Sequence, residues 1–145
     1  SPLHIYIPEK LRNKNAPLMF KRGDSRFDLF VGSIFKTVIS PRMSEDVHAV
    51  HDFNGKYLLR IKVLRKECII LLKAVTSRDK DFEDILNIVK KEKLLDWQYL
   101  VDEAIWQYNN GDDWMLPDTQ KVLLELKRYV FIEEKYLKQL DDAYK

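Results

Sequence analysis

The densest charge in the sequence follows an apolar run. Leu71 to Ile85 reads LLKAVTSRDKDFEDI, with Lys73 set beside Ile69, Ile70, Leu71 and Leu72, followed by Arg78, Lys80, Asp81, Glu83 and Asp84. In a helix Lys73 lies one turn after Ile69 and Ile70, on their face, so its ammonium must snorkel to water or meet a carboxylate. Asp79 or Asp81 is placed to cap a following helix and Asp84 to face back, so that Lys73, Arg78 and the acids staple two helices at a tight turn. The same geometry presents Lys73 and Arg78 to a phosphate, with the acids holding the cations in position. Spacing leaves both readings open. A second constellation is Arg26-Phe27-Asp28-Leu29-Phe30, a lone carboxylate in an apolar stretch. Strand alternation puts Arg26, Asp28 and Phe30 on one face, as suits an ion pair on a solvated surface as well as a reactive carboxylate.

The remaining chemistry-bearing residues point to packing. His48 and His51 are three apart, but no third ligand follows at a spacing typical of zinc. Cys68, the single cysteine, makes no intramolecular disulfide and reads, beside Ile69 and Ile70, as a small buried hydrophobe. Trp97 and Trp106 suit a core or an interface, and Trp114, in a loop with Met115 and Leu116, suits a contact surface. The sequence holds no Walker-type loop, G-x-G-x-x-G or nucleophile elbow.

These residues need elements to carry them. From Leu3 to Val63 the apolar residues come in short strand-like bursts, LHIYI, RFDLFVG, FKTVIS and KYLLRIKVL, separated by Pro8, Gly23, Gly32, Pro41 and Asn54-Gly55. In the last burst Tyr57, Leu59, Ile61 and Val63 alternate with Lys56, Leu58, Arg60 and Lys62, which predicts a half-buried strand. Ser40-Pro41 predicts the start of a short helix over Arg42 to Val50. After Leu64 the period turns helical: Glu67 to Val75, then Asp81 to Lys91 with Phe82, Ile85, Leu86 and Val89 in one stripe. A third helix follows Asp96 as N-cap and stops at Asn109, Asn110 and Gly111. GDDWMLPDTQ reads as a linking loop, with Pro117 near the start of a last helical region whose seam is Val122, Leu126, Tyr129, Val130, Leu137 and Leu140.

Strands followed by helices predict an α+β fold, with residues 1–64 mainly strand and 65–145 mainly helix in a single domain. At 145 residues, 46% hydrophobic and 33% charged, the composition is that of one globular unit. No apolar run approaches the roughly 20 residues that span a bilayer, so a cytoplasmic protein without a membrane is expected. A formal net charge of +2 gives no global field toward nucleic acid. A local basic excess at Lys10, Arg12, Lys14, Lys21, Arg22 and Arg26 suits a solvated loop.

RFDLFVGSIFKTVISPRM and LRIKVLRKECIILLKAVTSRDKDFEDI together resemble the latter part of an uncharacterised, largely prokaryotic group in the nucleotidyltransferase superfamily, near the abortive-infection toxin-type and minimal nucleotidyltransferases. That group has an R-[FVI]-D-[IL]-F strand followed by a K-x-x-T-x-R-x-x-D-x-E-D-like element at a helix junction. Arg26, Asp28 and Phe30 match the first element; Lys73, Thr76, Arg78, Asp81, Glu83 and Asp84 match the second. LLDWQYLVDEAIWQ is similar to the group's helical tail.

The resemblance implies a mixed, mainly N-terminal β-sheet, as part of a nucleotidyltransferase-like core, followed by a C-terminal helical bundle. It implies metal-dependent transfer of a nucleotidyl group, with Mg²⁺ and a nucleoside triphosphate. By it Asp28 is the catalytic, metal-binding third carboxylate, Lys73 and Arg78 face the triphosphate, and Arg26, Asp81 and Asp84 support them. The family's Gly-Ser loop and Asp-x-Asp pair are missing upstream of Asp28, and one Asp cannot hold two metals. The expectation is an inactive C-terminal portion, either a fragment or a diverged member, and a start at Ser-Pro without Met points to truncation or processing. The alternative is a non-catalytic interaction module, a homodimer packed through the Trp-rich helices.

Overall fold

The structure, a computed structural model, describes residues 18–30, 32–76 and 78–144. The expected strand at LHIYI and the basic residues Lys10, Arg12 and Lys14 lie outside these. The described chain is α+β, with small sheets first and helices after. The strands form three separate antiparallel pairs rather than one sheet. Strand β1 (Leu18–Arg22) pairs with β2 (Ser25–Leu29) across a two-residue turn. Gly23 sits there at φ 58, a left-handed backbone that primed hairpin turns demand and glycine adopts without a Cβ clash.

Strands β3 (Ser33–Ile34) and β4 (Thr37–Val38) form a two-residue ladder. They are followed by a short helix α1 (Pro41–Glu45), whose N-cap Ser40 accepts from Met43 N at 3.0 Å. The helix expected over Arg42 to Val50 stops at Glu45, because Ala49 and Val50 belong instead to β5 (Ala49–Asn54), paired with β6 (Leu58–Val63). That pairing supplies the backbone bonds a longer helix would have made, and β-branched Val50 favours it.

Alternation in β6 holds, since Phe53 lies opposite Leu59 and His51 opposite Ile61, giving the hairpin one largely apolar face. The expected half-burial does not hold: Phe53 is 57%, Leu59 56% and Ile61 43% exposed. A strand pair has no second layer of its own, and among the described residues nothing covers this face.

Five helices make the core: α2 (Lys66–Ala74), α3 (Asp79–Lys91), α4 (Trp97–Asn109), α5 (Met115–Leu126) and α6 (Glu134–Ala143). Helix α2 packs on α3, α4 and α5, while α4, α5 and α6 pack on one another. Ile70, Leu71, Ile85, Leu100, Leu123, Leu126 and Leu140 are all at most 1% exposed within one cluster. Each such side chain contributes about 1.5–3 kcal/mol on burial.

Asp96 caps α4 as expected, accepting from Tyr99 N at 2.9 Å. Helix α4 ends before Gly111, held at φ 108. GDDWMLPDTQ is not all loop. Helix α5 begins at Met115, and Pro117 occupies its first turn, where a missing N–H costs no helical bond. None of the described helices is long and apolar enough to cross a membrane.

Two tethers fix the strand region on this bundle. Gln107 of α4 accepts from Val38 N at 3.2 Å and donates to Val38 O at 2.7 Å, and Thr37 Oγ1 donates to Asp112 at 2.6 Å. Farther along, Met43, Cys68 and Tyr99 form a second buried cluster, where the guanidinium groups of Arg42 and Arg65 lie 3.7 and 4.0 Å from the Tyr99 ring centre. Cys68 is fully buried, and burial pushes its thiol up to about 11, so the reading of a buried hydrophobe holds.

Candidate functional site

Helix α2 breaks after Ala74 and α3 starts at Asp79, which leaves a short turn between two packed helices. Arg78 occupies the N-cap position of α3 without a side-chain cap bond. Neither Asp79 nor Asp81 caps the helix; both lie in its first turn, where carboxylates meet the positive end of the helix dipole. Asp81, 4% exposed, turns its carboxylate back onto the turn instead.

That carboxylate accepts a fork from Arg78, at 2.6 Å from Nε and 3.4 Å from Nη2, and lies 2.5 Å from Thr76 Oγ1. The Thr76 hydroxyl is also 2.7 Å from Lys73 O, and its single proton serves one acceptor at a time. Lys73 Nζ donates to Asp84 at 2.8 Å and stands 3.5 Å from Asp81. Lysine, arginine and both acids thus form the staple that spacing suggested. Burial pushes the Asp81 carboxyl up, but Thr76, Arg78 and Lys73 outweigh it and hold the group below the ordinary aspartate range. The bond and charge of Asp81 raise the basicity of Arg78 against a small burial effect, and Asp28 and Asp84 add to it.

Asp28, distant in sequence, borders the same cleft as Arg78. On β2, Arg26 forks onto Asp28 at 3.0 Å from Nε and 3.3 Å from Nη2, as strand alternation predicts for side chains two apart. Arg26, Asp28 and Phe30 from one side, and Leu72, Lys73, Thr76, Arg78 and Asp81 from the other, line a cleft of about 390 Å³ that Ile34, Phe35 and Ile69 help to enclose. Asp84 backs Lys73 without lining it. Five of the six expected site residues therefore share one wall system.

The charges balance once Asp84, behind Lys73, is counted with the cleft's own. Arg26, Lys73 and Arg78 stand against Asp28, Asp81 and Asp84, each cation within ion-pair distance of an acid. A phosphate entering there must compete with Asp28 for Arg26, or use the outer edge of Arg78, whose side chain is 66% exposed.

Among the described residues no three His, Cys, Asp or Glu side chains converge to hold a metal ion, and the carboxylate of Asp28 is engaged by Arg26. These residues do not fit the two-ion site that the resemblance implies. His48 and His51 stand at the start of the β5–β6 hairpin rather than on a helix, with His48 N bonded to Val63 O at 2.7 Å.

Sequence reasoning missed one wall altogether. Phe35, at the tip of the β3–β4 turn, has φ 55 and is 51% exposed, and nothing in Ile34-Phe35-Lys36 marks a left-handed turn position. Asp118, in the first turn of α5, looked like part of a loop. It borders a small space of about 60 Å³ with Lys73, Arg78 and Lys121. No family model, curated protein or solved structure matches this chain.

Proposed function

We propose that this chain is the triphosphate-facing second half of a nucleotidyltransferase-like unit, binding a nucleotide's phosphates without transferring them by itself. The observation that carries the reading is the meeting of Arg26 and Asp28 with Lys73, Arg78 and Asp81 in one cleft, although nearly 50 positions separate the two elements in sequence. An ion-pair staple across the α2–α3 turn needs only Lys73, Arg78, Asp81 and Asp84. It gives no reason for a second arginine–carboxylate pair to stand opposite.

The carboxylates hold the guanidinium and ammonium groups in fixed positions, so a phosphate meets donors whose side-chain entropy is already lost. Transfer chemistry needs carboxylates beyond Asp28, and neither an Asp-x-Asp pair nor a Gly-Ser turn stands before Asp28 in the sequence. Calorimetric titration of the chain with magnesium and ATP tests the reading. Heat that disappears in Lys73→Met is expected, and a silent titration of the folded protein contradicts it.

A second reading, that of an interaction module, draws on the uncovered apolar face of the β5–β6 hairpin. Sedimentation of a dimer, together with no response to nucleotide, favours that reading over the first.

A further inference from the structure

Next to the cation cleft, with Phe35 as the wall common to both, opens a second cleft of about 550 Å³. Its sides are Phe35, Val75 and Trp114, and its polar groups include Thr37, Asp112 and Asp118. Three features set it apart from an ordinary surface hollow. The fold leaves two aromatic rings open there, Phe35 at 51% and Trp114 at 65% exposure. Phe35 is the one non-glycine among the described residues at positive φ, a strained backbone of the kind that collects at ligand sites. The carboxylates are built in: Asp112 is 3% exposed and takes the Thr37 hydroxyl at 2.6 Å, and Asp118 borders this cleft and the small space next to Lys73 and Arg78.

Rings with acceptor groups on one side and cations on the other suit a molecule with a flat, donor-bearing end and an anionic end. We propose that this cleft takes the base of the nucleotide, an amino-bearing purine lying against Phe35 and Trp114 with its exocyclic amine donating to Asp118. The inference rests on the phosphate reading of the cation cleft and deepens it. An exocyclic amine is a donor that a carboxylate can accept. Uracil has no such amine, and its single ring N–H lies between two carbonyl oxygens that a carboxylate repels. Burial first, and then the charge of Asp112, push the Asp118 carboxyl up, against a weaker pull from Lys121.

The test uses the intact chain in calorimetric titrations with ATP, UTP and inorganic tripolyphosphate, each with magnesium. Stacking on one ring is worth about 1–3 kcal/mol, hence ATP is expected to bind about tenfold or more tighter than tripolyphosphate, with UTP well behind ATP. Trp114→Ala should remove about tenfold of the ATP affinity and leave tripolyphosphate unchanged. Asp118→Asn should narrow the gap between ATP and UTP, and circular dichroism establishes that both variants fold. Equal affinities for all three ligands, unmoved by either variant, overturn the base cleft while the phosphate reading stands. Binding of none of the three overturns both. ATP binding without any tripolyphosphate binding upholds the base cleft and overturns the phosphate reading.

Discussion

Replacing Asp81 by alanine removes the carboxylate on which the α2–α3 turn closes. Asp81 is 4% exposed, and its carboxylate receives a bidentate guanidinium, a hydroxyl and the second approach of Lys73. Truncating one partner of a fully buried ion pair costs about 3–5 kcal/mol, mostly because the other charge is left stranded. Stranding is mild here. Lys73 keeps Asp84 at 2.8 Å, the Thr76 hydroxyl keeps Lys73 O at 2.7 Å, and Arg78, with 66% of its side chain exposed, turns to water. What is lost is the charge-assisted bonding itself, about 1.5–3 kcal/mol for a hydrogen bond to a charged group, together with a favourable acid in the first turn of α3, about 0.3–1 kcal/mol.

The expected loss for Asp81→Ala is therefore about 2–4 kcal/mol, read from urea unfolding followed by tryptophan fluorescence. Asp81→Asn keeps an acceptor and should lose about half as much. Asp28→Ala is the internal control. Its partner Arg26 has 55% side-chain exposure, and an exposed pair is worth about 0–1 kcal/mol. If Asp81→Ala costs no more than Asp28→Ala, or if Asp81→Asn costs as much as Asp81→Ala, the description of this carboxylate as the keystone of the turn is refuted.

Stability should fall on acidification. The Asp81 and Glu67 carboxyls, the latter bonded by Asp96 N–H at 2.9 Å and by Arg65, are both held low, so their stabilisation is complete above the ordinary carboxylate range near pH 4 and is lost as pH falls through their lowered native values. Urea midpoints measured from pH 6 down to pH 2 should show that decline, flattened in Asp81→Asn. Asp118 has the opposite sign, since its raised native value makes its contribution favourable below the ordinary range and lost as pH rises through the native one; Asp118→Asn should stabilise the protein at pH 7. Phe35→Gly should be more stable than Phe35→Ala by about 1 kcal/mol in the same unfolding assay, because glycine adopts φ 55 without the Cβ penalty that alanine retains. The Cys68 thiol, fully buried and raised to about 11, should react with a disulfide reagent at pH 8 only at the rate of unfolding, and prompt reaction of the native protein contradicts its placement.

The pairing within each element was legible in the sequence because it is local. Side chains two apart on a strand share a face, so Arg26 meets Asp28. A lysine at the end of one helix and acids in the first turns of the next are neighbours across any tight turn. The core stripes of α3 and α4, the Asp96 cap and the stop near Gly111 follow from the same short-range rules. What local rules cannot supply is where β2 lies relative to the α2–α3 turn. That juxtaposition entered as an implication of resemblance, and in the structure Asp28, Lys73 and Arg78 border one cleft.

The errors were non-local as well. Val50 left the expected helix because β6, reached through the Asn54-Gly55 turn, offered it a ladder partner, and the expected linking loop gave way to helix already at Met115, with Pro117 near the helix start as expected. The exposure of Phe53, Leu59 and Ile61 could not be read from alternation, which reports which residues share a face and not whether anything lies against it. Phe35 was invisible for a related reason, since its left-handed backbone is imposed by a ladder whose second strand is tied down by Gln107 and Asp112, about 70 positions away.

The central claim is that Arg26, Lys73 and Arg78 receive a nucleotide's phosphates. Its most direct measurement is the chemical-shift change of the arginine side-chain N–H groups on adding ATP with magnesium, since the account ties those groups to ion pairs that a phosphate must displace. Saturable shifts at Arg26 and Arg78, lost in Lys73→Met while the fold is retained, are the predicted result. Unmoved arginine signals at millimolar nucleotide would contradict it and leave the cluster as a staple between two helices.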